Sequence, residues 1–212
     1  MDKKEVFKRE VNYLKNERYR ENANKLIELL PDYFFEVPAS STGKYHPAFS
    51  LGDGGLVRHT KAAVRIAYEF YNDESITGIF KEEEKDLMLL ALILHDGLKS
   101  GLEKSQYTLI DHPLLMANYI KDNKEKLTLT PGEIDFLANV ISSHMGPWTK
   151  DYKGNEVLPK PVNKYQKFVH MCDYLASRKF LNINFKENEI VDWHKQMFVV
   201  LLSQEVIIWE ES

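Results

Sequence analysis

The chain has 212 residues, a formal net charge of −4 and an apolar fraction of 43%, which fits one domain with a sizeable core. Its acidic balance argues against a general nucleic-acid coat protein, because strong phosphate binding usually leaves a basic footprint. The N-terminus is charged and has no apolar signal core, and no apolar stretch of about 18 residues could span a membrane. The single cysteine excludes an internal disulfide. We therefore expect a cytoplasmic protein.

In chain order the sequence predicts helix after helix, with two long loops. Residues 31–56 are rich in glycine, proline and serine, and residues 146–160 contain fewer such residues. Both segments are therefore expected to be irregular. The apolar periodicity predicts helices over residues 3–30, 56–72, 82–95, 111–123, 131–144, 162–180 and 190–209. Residues 181–185 and 206–209 would also fit short strands.

Several of these helices carry start signals. Thr130, Pro131 and Glu133 form a capping box. Asp111 is a plausible N-cap for the helix over 111–123. The helix over 82–95 is apolar on all sides behind an acidic first turn, so it should lie at the centre of the fold.

We see no alternation of strands and helices and therefore predict a compact all-α bundle. It would be a single domain over residues 1–212. Residues 1–30 would form an N-terminal helical extension.

Candidate chemistry lies mainly at the helix ends. Four of the seven histidines begin or end predicted helices in this interpretation: His59, His95, His112 and His144. His95 is followed directly by Asp96, and Asp173 lies inside the apolar helix FVHMCDYLASR. Imidazole nitrogens and carboxylates bind divalent first-row metals, and a carboxylate can bridge two ions where an imidazole cannot. A single helical histidine is more often a surface or core residue, and an ion pair with Arg178 or a capping role would also explain Asp173.

Together these segments carry a family resemblance. GGLVRHT, HDGLK and CDYLAS resemble the H…HD…D pattern of the HD superfamily of metal-dependent phosphohydrolases, over roughly residues 44–180, the predicted HD core. DHPLLMANYI and VISSHMG resemble the segments that supply extra histidines in its two-metal members. The resemblance implies one or two divalent ions (Mn, Fe, Co or Ni, with Mg also possible). The first would be held by His59, His95, Asp96 and Asp173, and the second by Asp96, His112 and His144.

Residues 44–61 are also similar to the HD domain of the YhaM-type 3′-to-5′ exoribonucleases. Those enzymes carry a separate nucleic-acid-binding domain of OB type, for which we expect no room here. Where such relatives often show paired histidines, this chain has Tyr45-His46 and Ser143-His144, and the Gly-Tyr-Pro signature of cyclic-di-GMP hydrolases is missing. These differences leave the substrate open within the superfamily.

The activity that the resemblance implies is cleavage of a phosphoester, in a nucleotide or short oligonucleotide, by a metal-activated hydroxide. Asp96 and Lys99 would be catalytic, and His46, Arg58, Lys61 and Lys99 would contact the substrate. Arg58 and Lys61 equally fit solvent-facing charges on an amphipathic helix.

The alternatives are a 3′-to-5′ nuclease on RNA or DNA ends and a diiron oxygenase of the HD fold.

We also make predictions for three residues outside the proposed site. His170 and His194 are expected not to bind metal. Trp148 is expected to plug the domain edge, with stacking on a base as its alternative role.

Overall fold

The structure is a computed structural model and describes residues 2–40, 42–43 and 46–180. These residues form eight α-helices: α1 (Lys3–Val11), α2 (Glu17–Leu29), α3 (Gly55–Tyr71), α4 (Glu74–Thr77), α5 (Glu82–Leu94), α6 (His112–Asp122), α7 (Pro131–Ser142) and α8 (Lys164–Ala176). Short 3₁₀ helices cover Asp32–Phe35, Ala48–Ser50 and Lys124–Lys126. The only β pairing among the described residues is a bridge between Lys150 and Glu156. The predicted all-α class is thus confirmed, whereas the predictions for 181–185 and 190–209 lie outside the described residues.

Helix α5 is the centre of the bundle. Every residue from Leu87 to Leu94 is buried, which explains why this stretch has no polar face. Helices α2, α3, α7 and α8 all pack against it. Because α5 is enclosed along its length, the residues that follow its C-terminal end also lie in the interior.

The predicted helix over residues 3–30 is in fact two helices. The carboxylate of Asp86, at the start of α5, accepts hydrogen bonds from the backbone N–H groups of Lys15 (3.0 Å) and Asn16 (2.8 Å). The Asn16 side chain then caps α2 by accepting from the N–H of Arg18 at 2.9 Å. A contact with a distant segment therefore ends α1 and starts α2.

The predicted caps have different outcomes. At α7 the capping box is confirmed, with Thr130 Oγ1 accepting from the Glu133 N–H (3.3 Å) and Glu133 Oε2 accepting from the Thr130 N–H (2.7 Å). At α6, Asp111 does occupy the predicted N-cap position, but its side chain makes no capping hydrogen bond. Its backbone (φ −90°, ψ 8°) is not in the extended conformation that brings an N-cap side chain over the first turn.

The N-terminal helices share one hydrophobic core with the rest of the described chain. Helix α1 packs on both α2 and α3, and Phe7 is fully buried against Phe34 and Phe35. Beside it, the buried Glu10 accepts two hydrogen bonds from Arg65, at 2.8 and 3.0 Å. The extension is therefore an integral part of the bundle. Among the described helices, none has the length and apolar character needed to cross a membrane.

Candidate metal centre

Five helices bring the six predicted ligands to one place. His59 lies in α3, His95 and Asp96 follow α5, His112 begins α6, His144 lies two residues beyond α7, and Asp173 lies in α8. All six are buried except for part of Asp173, whose side chain is 16% exposed where the others are at 2% or less. Whether they bind metal remains a prediction, but the structure does bring all of them together.

The carboxylate of Asp96 faces two different groups of imidazoles. Its Oδ1 lies 3.0 Å from His112 Nε2 and 3.6 Å from His144 Nε2. Its Oδ2 lies 3.6 Å from His59 Nε2 and 3.5 Å from His95 Nε2. One carboxylate thus has one oxygen on each side of the cluster, which is the arrangement that a bridging ligand requires.

Asp173 closes the side of the cluster that contains His59 and His95. Its Oδ1 lies 2.9 Å from His59 Nε2 and 3.3 Å from His95 Nε2. Two groups of possible ligand atoms have all their members within 4.8 Å of one another: His59, His95 and Asp173 in the first, and His95, Asp96 and His144 in the second.

Backbone carbonyl groups fix the protonation of three of the histidines. His95, His112 and His144 each hydrogen-bond through Nδ1 to the carbonyl oxygen three residues earlier, over 2.7, 2.6 and 2.8 Å. Because a carbonyl oxygen only accepts, Nδ1 must carry the proton. In the neutral ring each Nε2 then carries a lone pair directed toward Asp96, as in metal-binding histidines whose other ring nitrogen is held by an acceptor.

In this arrangement hydrogen-bond acceptors face one another with no donor between them. Such a cluster of acceptors is what a bound cation requires, so it tests whether a metal ion fits. The Nε2 atoms of His112 and His144 lie 3.3 Å apart, and both carry lone pairs. Asp96 Oδ1 and His95 Nε2 are buried without a hydrogen-bond partner. Buried unsatisfied acceptors are costly, and a divalent ion with nitrogen and oxygen ligands would satisfy them. The residues present therefore fit the metal ions that the resemblance implies.

The electrostatics of four of the six residues favour the protonation states that metals need. The exception is His95: burial would lower its pKa, but the carboxylates of Asp96 and Asp173 outweigh burial and raise it. Burial would raise the pKa of Asp96, but Lys99 and the neighbouring imidazoles outweigh it and hold that pKa well below its ordinary value. Burial also opposes the charge on Asp173, yet the two imidazoles that it contacts keep its pKa well below the ordinary value. Burial lowers the pKa of His59 and of His112. Deprotonated carboxylates and neutral imidazoles are the metal-binding forms.

Lys99 and His46 lie beside the cluster, and their predicted contacts with a substrate stay predictions. Lys99 Nζ lies 2.6 Å from Asp96 Oδ2. The His46 ring centroid lies 5.3 Å from that of His59, and its Nδ1 is buried without a partner. Burial lowers the pKa of His46 to about 3, so this imidazole is neutral.

Tyr33 is a site residue that the sequence analysis missed. Its hydroxyl donates to the Gly101 carbonyl at 2.6 Å and accepts from the Ser100 N–H at 3.1 Å. It thereby holds the turn that carries Lys99. No local signal could have found it, because Tyr33 lies far away in the chain, in a segment that the sequence predicts to be irregular.

Arg58 and Lys61 have other contacts than those predicted. The Arg58 guanidinium donates to three backbone carbonyl groups within residues 49–53, so it organises that loop. Lys61 is buried beside Glu10 and over the Phe7 ring, and burial lowers its pKa to about 8. Neither residue is a solvent-facing charge. The packing of α1 on α3 turns Lys61 toward the core, so it has no part in the site proposed below.

The remaining predictions concern residues close to α8. His170 donates through Nδ1 to the His144 carbonyl at 2.7 Å. The Arg178 guanidinium contacts the Ser177 hydroxyl at 2.7 Å, and within the described part of the chain it forms no ion pair with Asp173. Trp148 is 50% exposed and packs on His170 and Tyr174, so its role at the domain edge stays a prediction. His194 lies outside the described residues.

Comparison with known families agrees with this geometry. A model of the HD domain family matches residues 56–178, which is more than half of the chain. The chain therefore belongs to the HD domain family, whose general activity is metal-dependent phosphohydrolysis and whose members bind divalent metals. No curated protein and no solved structure gives a significant match.

Proposed function

We propose that this protein is a two-ion phosphohydrolase that cleaves a phosphoester in a nucleotide or short oligonucleotide. The observation that carries this proposal is the position of Asp96, whose Oδ1 faces His112 and His144 while its Oδ2 faces His59 and His95. A site for one ion would need only one of these groups.

Two sets of side chains would hold the ions. The first set is His59, His95, Asp173 and Asp96 Oδ2, and the second is His112, His144 and Asp96 Oδ1. When bound, such ions supply an activated water near neutral pH and offset the charge that develops on a phosphoryl group.

The chain's own residues supply orientation and charge. The three backbone carbonyls that accept from His95, His112 and His144 keep every Nε2 directed inward. Lys99, held by its turn beside Asp96, places an ammonium where phosphoryl oxygens would lie. His46, neutral at physiological pH and close to His59, is placed for a hydrogen bond to the substrate.

The test begins with metal content. Protein stripped with a chelator is reloaded with Mn, Co, Ni, Fe or Mg, and bound metal is measured by mass spectrometry for the wild type, Asp96→Asn and His112→Ala. We expect Asp96→Asn to lose metal, and His112→Ala to keep one ion of two. The control is Asp135→Asn, a carboxylate that is 74% exposed, and it should behave as the wild type. Metal content in Asp96→Asn equal to that of the wild type would refute the site.

The second part tests the reaction. Reloaded wild-type protein is screened against nucleotides and short oligonucleotides, with phosphate release and oxygen consumption recorded in parallel. Phosphoester cleavage that is lost in Asp96→Asn and kept in Asp135→Asn supports the proposal. Cleavage that proceeds from the 3′ ends of long RNA or DNA would favour the nuclease. Oxygen consumption with iron and no phosphoester cleavage would favour the diiron oxygenase.

A further inference from the structure

Three rings beside the metal centre have no part in the reaction proposed so far. They are Trp148, His170 and Tyr174, called the aromatic rim from here on. The Trp148 and Tyr174 rings stack with centroids 6.0 Å apart and planes 16° apart. The His170 ring lies 6.3 Å from the first and 6.0 Å from the second.

The rim is unusual because it is a stack at the surface. Trp148 is 50% exposed and Tyr174 is 38% exposed. Leaving large aromatic rings in water forgoes the favourable burial that such side chains usually gain. The Arg178 guanidinium lies 4.2 Å from the Tyr174 ring centroid, so Tyr174 is supported by a cation as well as by Trp148. A surface of this kind suits a flat aromatic ligand.

The rim is tied directly to the metal centre. His170 donates to the backbone carbonyl of His144, and it lies three residues before Asp173 in α8, so the two side chains share one face of the helix. Asp173 is the most exposed of the six predicted ligands, so the cluster reaches solvent on the side of α8. A molecule that enters along this side would meet the rim and the cluster together.

We propose that the aromatic rim stacks the purine or pyrimidine base of the substrate while the phosphate of that nucleotide lies at the metal centre. This rests on the proposed function and adds the residue that recognises the base, Trp148. Tyr174 backs the indole on one face, so the base would stack on the exposed part of the ring. Stacking accepts any base, so the rim would select for a base without choosing among bases.

The rim can be tested by binding, without hydrolysis. Calorimetry on metal-loaded protein would compare a nucleoside 5′-monophosphate, a dinucleotide and ribose 5-phosphate, each as a non-hydrolysable phosphonate analogue. The variants are Trp148→Ala, Trp148→Phe and the control Tyr152→Ala, which removes a 92% exposed ring from the same loop. Circular dichroism verifies that each variant is folded.

We expect Trp148→Ala to weaken nucleotide binding about tenfold, in the range of base–aromatic stacking. Trp148→Phe and Tyr152→Ala should bind as the wild type, and ribose 5-phosphate should bind equally to all four proteins. A gain in affinity from monophosphate to dinucleotide would identify the base of an oligonucleotide end as the stacked group, and equal affinity would identify a mononucleotide.

Two results would overturn the proposal. One is equal nucleotide affinity for the wild type and Trp148→Ala. The other is an equal loss of ribose 5-phosphate binding, since that would show general damage to the site. Either result leaves the metal-content and cleavage tests of the proposed function untouched. Conversely, if no phosphoester is cleaved, the binding comparison still decides whether the rim takes a base.

Discussion

At the scale of single residues, Lys99 has two possible partners. Its ammonium lies 2.6 Å from Asp96 Oδ2, which is also one of the oxygens proposed to bind an ion. Without metal the lysine is the nearest cation to this carboxylate. With metal bound, the ions would take over the neutralisation of Asp96, and Lys99 would become available to the substrate. Its role should therefore be measured on metal-loaded protein.

We predict that Lys99→Ala lowers kcat/KM on a cleaved phosphoester by about one to two orders of magnitude, roughly 1.4–2.7 kcal/mol of transition-state stabilisation. Metal content and the melting temperature of loaded protein should change little. The control is Lys104→Ala, an exposed lysine in the same connecting segment, which should leave turnover unchanged. Unchanged turnover in Lys99→Ala would reduce this residue to a partner of Asp96.

At the scale of elements, a group of hydrogen bonds joins α2 to α7. Both Glu133 carboxylate oxygens accept from the Arg18 guanidinium, at 2.8 and 2.5 Å, and Tyr19 donates to the same carboxylate at 2.6 Å. These contacts, led by the hydrogen bonds from Arg18, lower the pKa of Glu133 from 4.5 to about 2. Folding therefore favours the charged form of Glu133. Its contribution to stability is complete above pH 4.5 and is lost as the pH falls toward 2.

We predict that Glu133→Gln lowers the free energy of unfolding at neutral pH by about 1–3 kcal/mol, the usual value of charged hydrogen bonds. The difference from the wild type should shrink as the pH is lowered from 4.5 toward 2. Denaturant unfolding of chelator-treated protein measures it without interference from metal release. Glu125→Gln, at an exposed position, is the control. A difference that stays constant with pH would contradict the pKa assignment.

The turn after α7 is a second element with a testable constraint. Gly146 has φ +64°, and a Cβ atom there would lie 2.1 Å from the His170 ring. Gly154 has φ +89° with nothing within 4 Å. We predict that Gly154→Ala costs only the strain of a positive φ, about 1–2 kcal/mol. Gly146→Ala should cost clearly more and should weaken metal binding, because it displaces the turn next to His144. Equal melting temperatures for the two variants would contradict this account.

At the scale of the whole molecule, local patterns predicted the helices better than their packing. The capping box at Thr130 and the all-apolar run of α5 are local signals, and both predictions are confirmed. The break between α1 and α2 depends on Asp86, about 70 residues away, so no local pattern indicates it. Lys61 likewise fits a solvent-facing position until α1 packs on α3. Long-range packing thus explains what the sequence could not predict.

In the candidate site, too, local features could be predicted from the sequence and long-range contacts could not. The six residues that the structure brings together could be selected from the sequence because each lies in a short segment that resembles the family. Their partners could not, because the backbone acceptors of His95 and His112 have no sequence signature and Tyr33 comes from a distant loop. The exposure of Trp148 was also invisible to sequence, since its neighbours in space come from α8.

The contact between His59 and Asp173 joins residues 114 positions apart. An ion held between them would act as a cross-link that closes nearly the whole HD core into a loop. The chain has a single cysteine and so cannot form an internal disulfide. A metal cross-link would take the place of a disulfide, without oxidation, and chelation would reverse it. The cellular supply of the metal would then govern how long the folded protein survives proteolysis as well as whether it turns over substrate.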